Sequence, residues 1–123
     1  MLKQAQAELP NECCGLLAGR IESGVGRVEM HYPLVNESAS PSEYYAEPFA
    51  AHKDMRIKGV DLLAIYHSHP TSEPLPSKTD LGRNFFGAEV VFLIIGLADA
   101  VPVVRGWWLT ETDFVEAAWE IVE

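Results

Sequence analysis

The sequence predicts a mixed α/β fold with a central β-sheet flanked by helices, on three observations. Short apolar runs rich in β-branched and aromatic residues recur between Gly15 and Leu109, segments of good helix formers stand between some of them, and Gly and Pro clusters mark the joins. At 123 residues the chain can bury one core but not a second module. Residues 1–123 are therefore expected to form a single domain.

Leu2 to Leu9 holds good helix formers and is stopped by Pro10, which predicts a short helix. Gly15 to Ile21 and Val25 to Leu34 are predicted to pair as a hairpin around the small, polar turn Glu22-Ser23-Gly24. Asn36 to Glu43, with Pro41, reads as a polar loop. Pro48 to Lys58 reads as a second helix, with proline at its start and Gly59 closing it. Asp61 to Tyr66 is a short strand-forming run that ends at His67 and His69. Pro70, Pro74 and Pro76 then make the next stretch too stiff for helix or paired strand. Ser77 is a candidate N-cap for a helix over Ser77 to Phe86, with Asp80 in its first turn. Glu89 to Leu97 suits a buried strand, Val101 to Leu109 another, and Asp113 to Val122 alternates so that Val115, Ala117, Trp119 and Ile121 share one face. Trp107 and Trp108, adjacent on a strand, must point to opposite faces.

The formal charge is −9, from 18 acidic and 9 basic residues, and no Lys/Arg cluster stands out. Nucleic-acid binding rests on such a footprint, so the composition argues against a polyanion partner. The residues from Met1 to Glu8 lack the apolar core of a signal peptide, and no run approaches membrane-spanning length, so a soluble cytoplasmic protein is expected. Cys13 and Cys14 are adjacent and do not form the Cys-x-x-Cys spacing of redox or zinc motifs. They are expected to pack as small apolar residues beside Glu12. His31 and His52 lack ligand-like spacing, and Glu73 is expected to be solvated.

His67-Ser68-His69, the proline-rich stretch and Ser77-Lys78-Thr79-Asp80 carry the chemistry. In extended backbone, residues two apart share a face, so the two imidazoles project together and Ser68 points away. Pro70 biases His69 further toward extended backbone. A carboxylate at Asp80 meets the imidazoles if the loop folds back. Two imidazoles and a carboxylate are the inventory of a three-ligand zinc site, which leaves one position open for water. Peptide hydrolysis then needs a proton-transfer group, and the candidate is Glu12 in Leu9-Pro10-Asn11-Glu12-Cys13-Cys14-Gly15-Leu16-Leu17.

With these residues in view, the chain resembles the JAMM (MPN+) metalloproteases. Their pattern is an upstream Glu, then His-x-His, seven residues, Ser, two residues and Asp. Here it reads Glu12, His67-x-His69, the seven residues Pro70 to Pro76, Ser77 and Asp80, with no departure. The resemblance runs from Glu12 to about Trp108 and implies a deaminase-like JAMM/MPN architecture. It further implies one Zn²⁺ per chain on His67, His69 and Asp80, with Glu12 as general base and acid. Ser77 would hydrogen-bond the substrate carbonyl or oxyanion, although Ser-x-x-Asp is also a helix capping pattern, and Ser77 can serve in both ways.

The function so implied is zinc-dependent peptide or isopeptide hydrolysis after the C-terminal Gly-Gly of a ubiquitin-like or sulfur-carrier protein. The extended tail of that partner would enter beside the sheet or the loop from Asn36 to Tyr45 by strand addition. The alternative is a non-catalytic MPN-type interaction scaffold. Scaffolds of this kind are expected to lack ligands, whereas this chain retains all three together with Glu12 and Ser77. A zinc nucleoside deaminase would need His-x-Glu and Pro-Cys-x-x-Cys, and neither occurs.

Overall fold

A computed structural model of the chain describes residues 1–36, 48–77, 80–81, 90–110 and 113–120. Helix α1 (Leu2–Ala7) ends ahead of Pro10. Strands β1 (Cys14–Glu22) and β2 (Val25–Leu34) form the expected hairpin. Ser23 and Gly24 at its tip have φ of 52° and 77°, the consecutive positive angles of a type I′ hairpin turn. Helix α2 (Phe49–Lys58) follows Pro48 and stops at Gly59, whose φ of 67° is left-handed. The N–H groups of Gly59 and Val60 turn back to the carbonyls of Arg56 and Met55, satisfying the last turn.

Strand β3 (Asp61–His69) continues through both histidines. Strands β4 (Val91–Gly96), β5 (Val103–Leu109) and β6 (Phe114–Ala117) complete a six-stranded sheet in the order β2-β1-β3-β4-β5-β6. Most of the helix expected over Ser77 to Phe86 lies outside the described residues, as do all but Asn36 of the polar loop and Ile121 at the C-terminal end.

Among the described residues four of the five strand pairs are antiparallel, and only β3 and β4 run parallel. A parallel pair cannot be closed by a tight turn, so the chain must cross over between His69 and Val91. That crossover carries the proline-rich loop and Ser77, and it leaves from the carboxyl end of β3, where open α/β sheets place their sites.

Cross-strand register assigns the two faces. Leu16, Ile65, Phe92, Ile94 and Trp107 lie on one face under Ala51 and Met55 of α2. Leu17, Ala64, Tyr66, Leu93 and Ile95 lie on the other, under Ala5 of α1. Both faces of β3 and β4 are thus covered, which explains why β4 and the Leu62–Tyr66 stretch of β3 are apolar throughout rather than alternating. Tyr66 hydrogen-bonds Gln4 Oε1 and lies 2.5 Å from His31 Nε2, so α1 is tied to the sheet by a polar contact as well.

The strand expected from Asp113 to Val122 is shorter than its alternation. Strand β6 ends at Ala117, and its pairing with β5 covers only Gly106–Leu109 although β5 itself begins at Val103. Trp119 therefore lies beyond the strand and is exposed, and Val115 on this sheet edge is exposed as well. Trp107 takes the core side and Trp108 the more open one.

Candidate metal centre

His67 and His69 lie on the face of β3 that also bears Ile65, with both rings directed to one point. His67 Nε2 is 3.1 Å from His69 Nε2 and 3.1 Å from Asp80 Oδ1, and His69 Nε2 is 3.2 Å from Asp80 Oδ2. One ligand atom from each of the three residues lies within 4.8 Å of the others. Ligand atoms bound at about 2.0–2.1 Å to a tetrahedral ion stand about 3.3 Å apart, so these separations fit a small divalent cation. The donor set agrees, since two imidazole nitrogens and a carboxylate favour such an ion over harder ones. The expectation that Asp80 folds back onto the histidine pair is met in this geometry.

Asp80 reaches the histidines from the turn that begins at Ser77. The Ser77 N–H donates to Asp80 Oδ2 at 2.8 Å, and the Asp80 N–H donates to Ser77 Oγ at 3.1 Å. This reciprocal pair is a capping box with Asp in the distal position. It also locks the carboxylate rotamer, so the cap and the aim of the ligand are one device.

Electrostatics at the site favour positive charge. Burial alone would push the Asp80 carboxyl up, yet the hydrogen bonds to His67 and His69 hold it well below the usual carboxylate range. Burial would lower His69, but its hydrogen bond to Asp80, the Glu73 carbonyl and the fields of Asp80 and Glu12 raise it on balance. Glu12 thus acts electrostatically on His69 although 57 residues separate them in sequence. A field that favours an imidazolium also favours a metal cation.

Glu12 is brought to this end of the sheet by β1. Cys14 pairs with His67 across the antiparallel β1–β3 ladder. One residue earlier, the Cys13 N–H donates to Ser68 Oγ at 2.8 Å and the Ser68 N–H donates to the Cys13 carbonyl at 3.1 Å. The Glu12 carbonyl accepts from Asn36 Nδ2 at 2.7 Å. Glu12 is 5 % exposed, and Ser68 is fully buried. Both cysteines are buried free thiols, as expected, and burial pushes Cys14 up to about 12, which keeps it an inert packing group.

Several contributors escaped sequence reasoning. Ser68 could have been found, because the middle residue of His-x-His must face away from the ligands and needs a partner there if buried. Asn36 and the Glu73 carbonyl gave no signal, since each acts through backbone that only the folded chain brings near. The Glu73 side chain is exposed as expected, but its carbonyl accepts from His69 Nδ1 at 2.8 Å.

Comparison with known proteins matches residues 1–110 to the family described as prokaryotic homologs of the JAB domain. A probable TtuB-protein conjugate cleaving protease of Thermus thermophilus is 46 % identical over 78 residues, 60 % of this chain and 49 % of that protein. A CysO-cysteine peptidase of Mycobacterium tuberculosis is 36 % identical over 84 residues, 66 % of this chain and 56 % of that protein. The chain thus spans about half the length of these relatives. The solution structure of protein DSY2949 from Desulfitobacterium hafniense superposes with a TM-score of 0.84 at 37 % identity, covering 95 % of this chain and 82 % of the other.

Proposed function

The chain belongs to the family of prokaryotic JAB-domain homologs, and on that premise we propose that it is a zinc-dependent peptidase or isopeptidase. Its bond of choice follows the C-terminal Gly-Gly of a ubiquitin-like or sulfur-carrier protein. The observation that carries the reading is the convergence of His67 Nε2, His69 Nε2 and the Asp80 carboxylate at 3.1–3.2 Å in a buried cluster, with Glu12 buried within electrostatic reach. The names of the Thermus and Mycobacterium relatives, a conjugate cleaving protease and a peptidase, support the reaction class.

In this reading His67, His69 and Asp80 hold one Zn²⁺. When bound, the ion would supply Lewis-acid chemistry, activating water for attack near neutral pH and polarising the scissile carbonyl. Glu12 takes the proton of the attacking water on its carboxylate and delivers it to the leaving amine nitrogen. The Ser77 hydroxyl accepts the Asp80 N–H and keeps its own O–H to donate to the carbonyl oxygen as charge develops there. An extended glycine-rich tail suits the site because residues without a side chain can pass close to the metal strand. The substrate is a protein rather than a nucleic acid, and the working compartment is the cytoplasm. Among the described residues no helix is long and apolar enough to cross a membrane.

Purified protein is tested for zinc by elemental analysis and for cleavage of Gly-Gly-tailed fusions by mass spectrometry. About one Zn²⁺ per chain is expected, lost in His67→Ala and Asp80→Ala. Glu12→Gln is expected to keep zinc and fold while losing about 10²- to 10⁴-fold in hydrolysis, because the amide cannot accept the proton. Absence of zinc after purification without chelator and after zinc addition overturns the reading, and near wild-type turnover in Glu12→Gln removes Glu12 from the mechanism.

A further inference from the structure

We propose that Trp107 is a positioning residue for the metal centre: its indole N–H anchors the loop whose backbone sets the tautomer of His69. The proposal rests on the metal-binding reading above. A carbonyl can only accept, so the 2.8 Å contact between His69 Nδ1 and the Glu73 carbonyl places a proton on Nδ1. In the neutral ring Nε2 then carries the lone pair, and Nε2 is the atom turned toward His67 and Asp80. The next carbonyl along the chain, that of Pro74, accepts from Trp107 Nε1 at 2.9 Å.

The two carbonyls are mechanically linked. Glu73 O also accepts the Leu75 N–H at 2.8 Å, which closes a three-residue turn centred on Pro74. Pro74 rests on Gly96, where an added Cβ would lie 2.8 Å from Pro74 Cδ, and Gly96 is the parallel-ladder partner of His69. The turn is therefore wedged between the bare end of β4 and the indole. The indole itself is held by the Arg105 guanidinium, 4.5 Å over its ring, and by Phe114, edge-on at 5.2 Å. With 5 % exposure and contacts on two sides, Trp107 presents its N–H in one direction. A shift of the Pro74 carbonyl would rotate the turn and weaken the acceptor that keeps the proton on His69 Nδ1. Outer groups that orient metal-binding histidines in this way typically contribute about 10- to 100-fold to metal affinity.

Trp107→Phe keeps a ring against Arg105 and Phe114 and deletes the donor. Phe114→Leu disturbs the same packing and keeps the donor. Zinc affinity is measured by chelator competition, and the His69 ring nitrogens are read by ¹⁵N NMR on the zinc-free protein. Trp107→Phe is expected to bind zinc about 10- to 100-fold more weakly, with the Nδ1 signal moving away from the protonated value. Phe114→Leu, which loosens the hold on the indole but keeps the donor, is expected to lose less zinc affinity than Trp107→Phe and to shift the Nδ1 signal less. Gly96→Ala, which pushes Pro74 from the opposite side without touching the indole, is expected to reproduce the loss, and it serves as the test if Trp107→Phe does not fold. Unchanged zinc affinity and Nδ1 signal in the folded Trp107 or Gly96 variant, or an equal loss in Phe114→Leu, overturns the proposal alone. A wild-type chain that takes up no zinc overturns the metal reading and this proposal with it.

Discussion

The Ser77 hydroxyl accepts the Asp80 N–H while the Asp80 carboxylate accepts the Ser77 N–H and faces both imidazoles. Removing the hydroxyl leaves the second of these bonds in place, because the donor is backbone. Ser77→Ala is therefore expected to keep zinc. Losing the cap costs about 0.5–2 kcal/mol of stability, and losing a donor to the developing oxyanion costs about 10²- to 10³-fold in rate. Both losses are expected, read as the denaturant midpoint and as turnover per folded molecule. A variant that is less stable yet cleaves normally when folded would show that Ser77 is a helix cap alone.

Between elements, the decisive contact joins the start of β1 to the end of β3. Ser68 exchanges two hydrogen bonds with Cys13, on the face opposite the ligands, and so holds the residue next to Glu12. Ser68→Ala leaves the Cys13 N–H without that acceptor in a buried site, at a cost of about 1–3 kcal/mol. The proposed ligands remain on β3 and the Ser77 turn, so under the proposed function zinc affinity is expected to hold while hydrolysis falls as Glu12 loses its seat. Denaturant unfolding, zinc titration and turnover of this one variant test the three parts. A loss of zinc affinity equal to the loss of turnover would count against the separation of base positioning from metal binding.

For the whole molecule, the proposed metal binding would be linked to folding, because His67 and His69 end β3 and Asp80 returns after the proline-rich loop. An ion that binds the folded chain and not the unfolded one stabilises it by RT ln(1 + [L]/Kd), about 4 kcal/mol at free zinc 1,000 times Kd. Zinc is expected to raise the unfolding temperature in a concentration-dependent way, reversed by chelator and absent in His67→Ala. Thermal scans at several free-zinc levels check this, and an unfolding temperature insensitive to zinc would contradict a three-ligand site.

The α/β class, the Ser23-Gly24 turn, the Pro48 and Gly59 limits of α2 and the two-residue step from His67 to His69 were legible in the sequence. Each depends on local stereochemistry: periodicity, positive φ, a missing N–H, or the alternation of an extended strand. The motif from Glu12 to Asp80 was legible too, as a resemblance rather than as geometry. Where β6 stops and which Trp enters the core were decided by pairing with β5 and by packing under Phe114. The seating of Glu12 beside the histidines and the proton on His69 Nδ1 were decided by Ser68 and the Glu73 carbonyl. Side-chain spacing along one strand is a local property that sequence determines. Which distant backbone carbonyl or amide meets a side chain depends on how the strands assemble, and only the tertiary structure decides that.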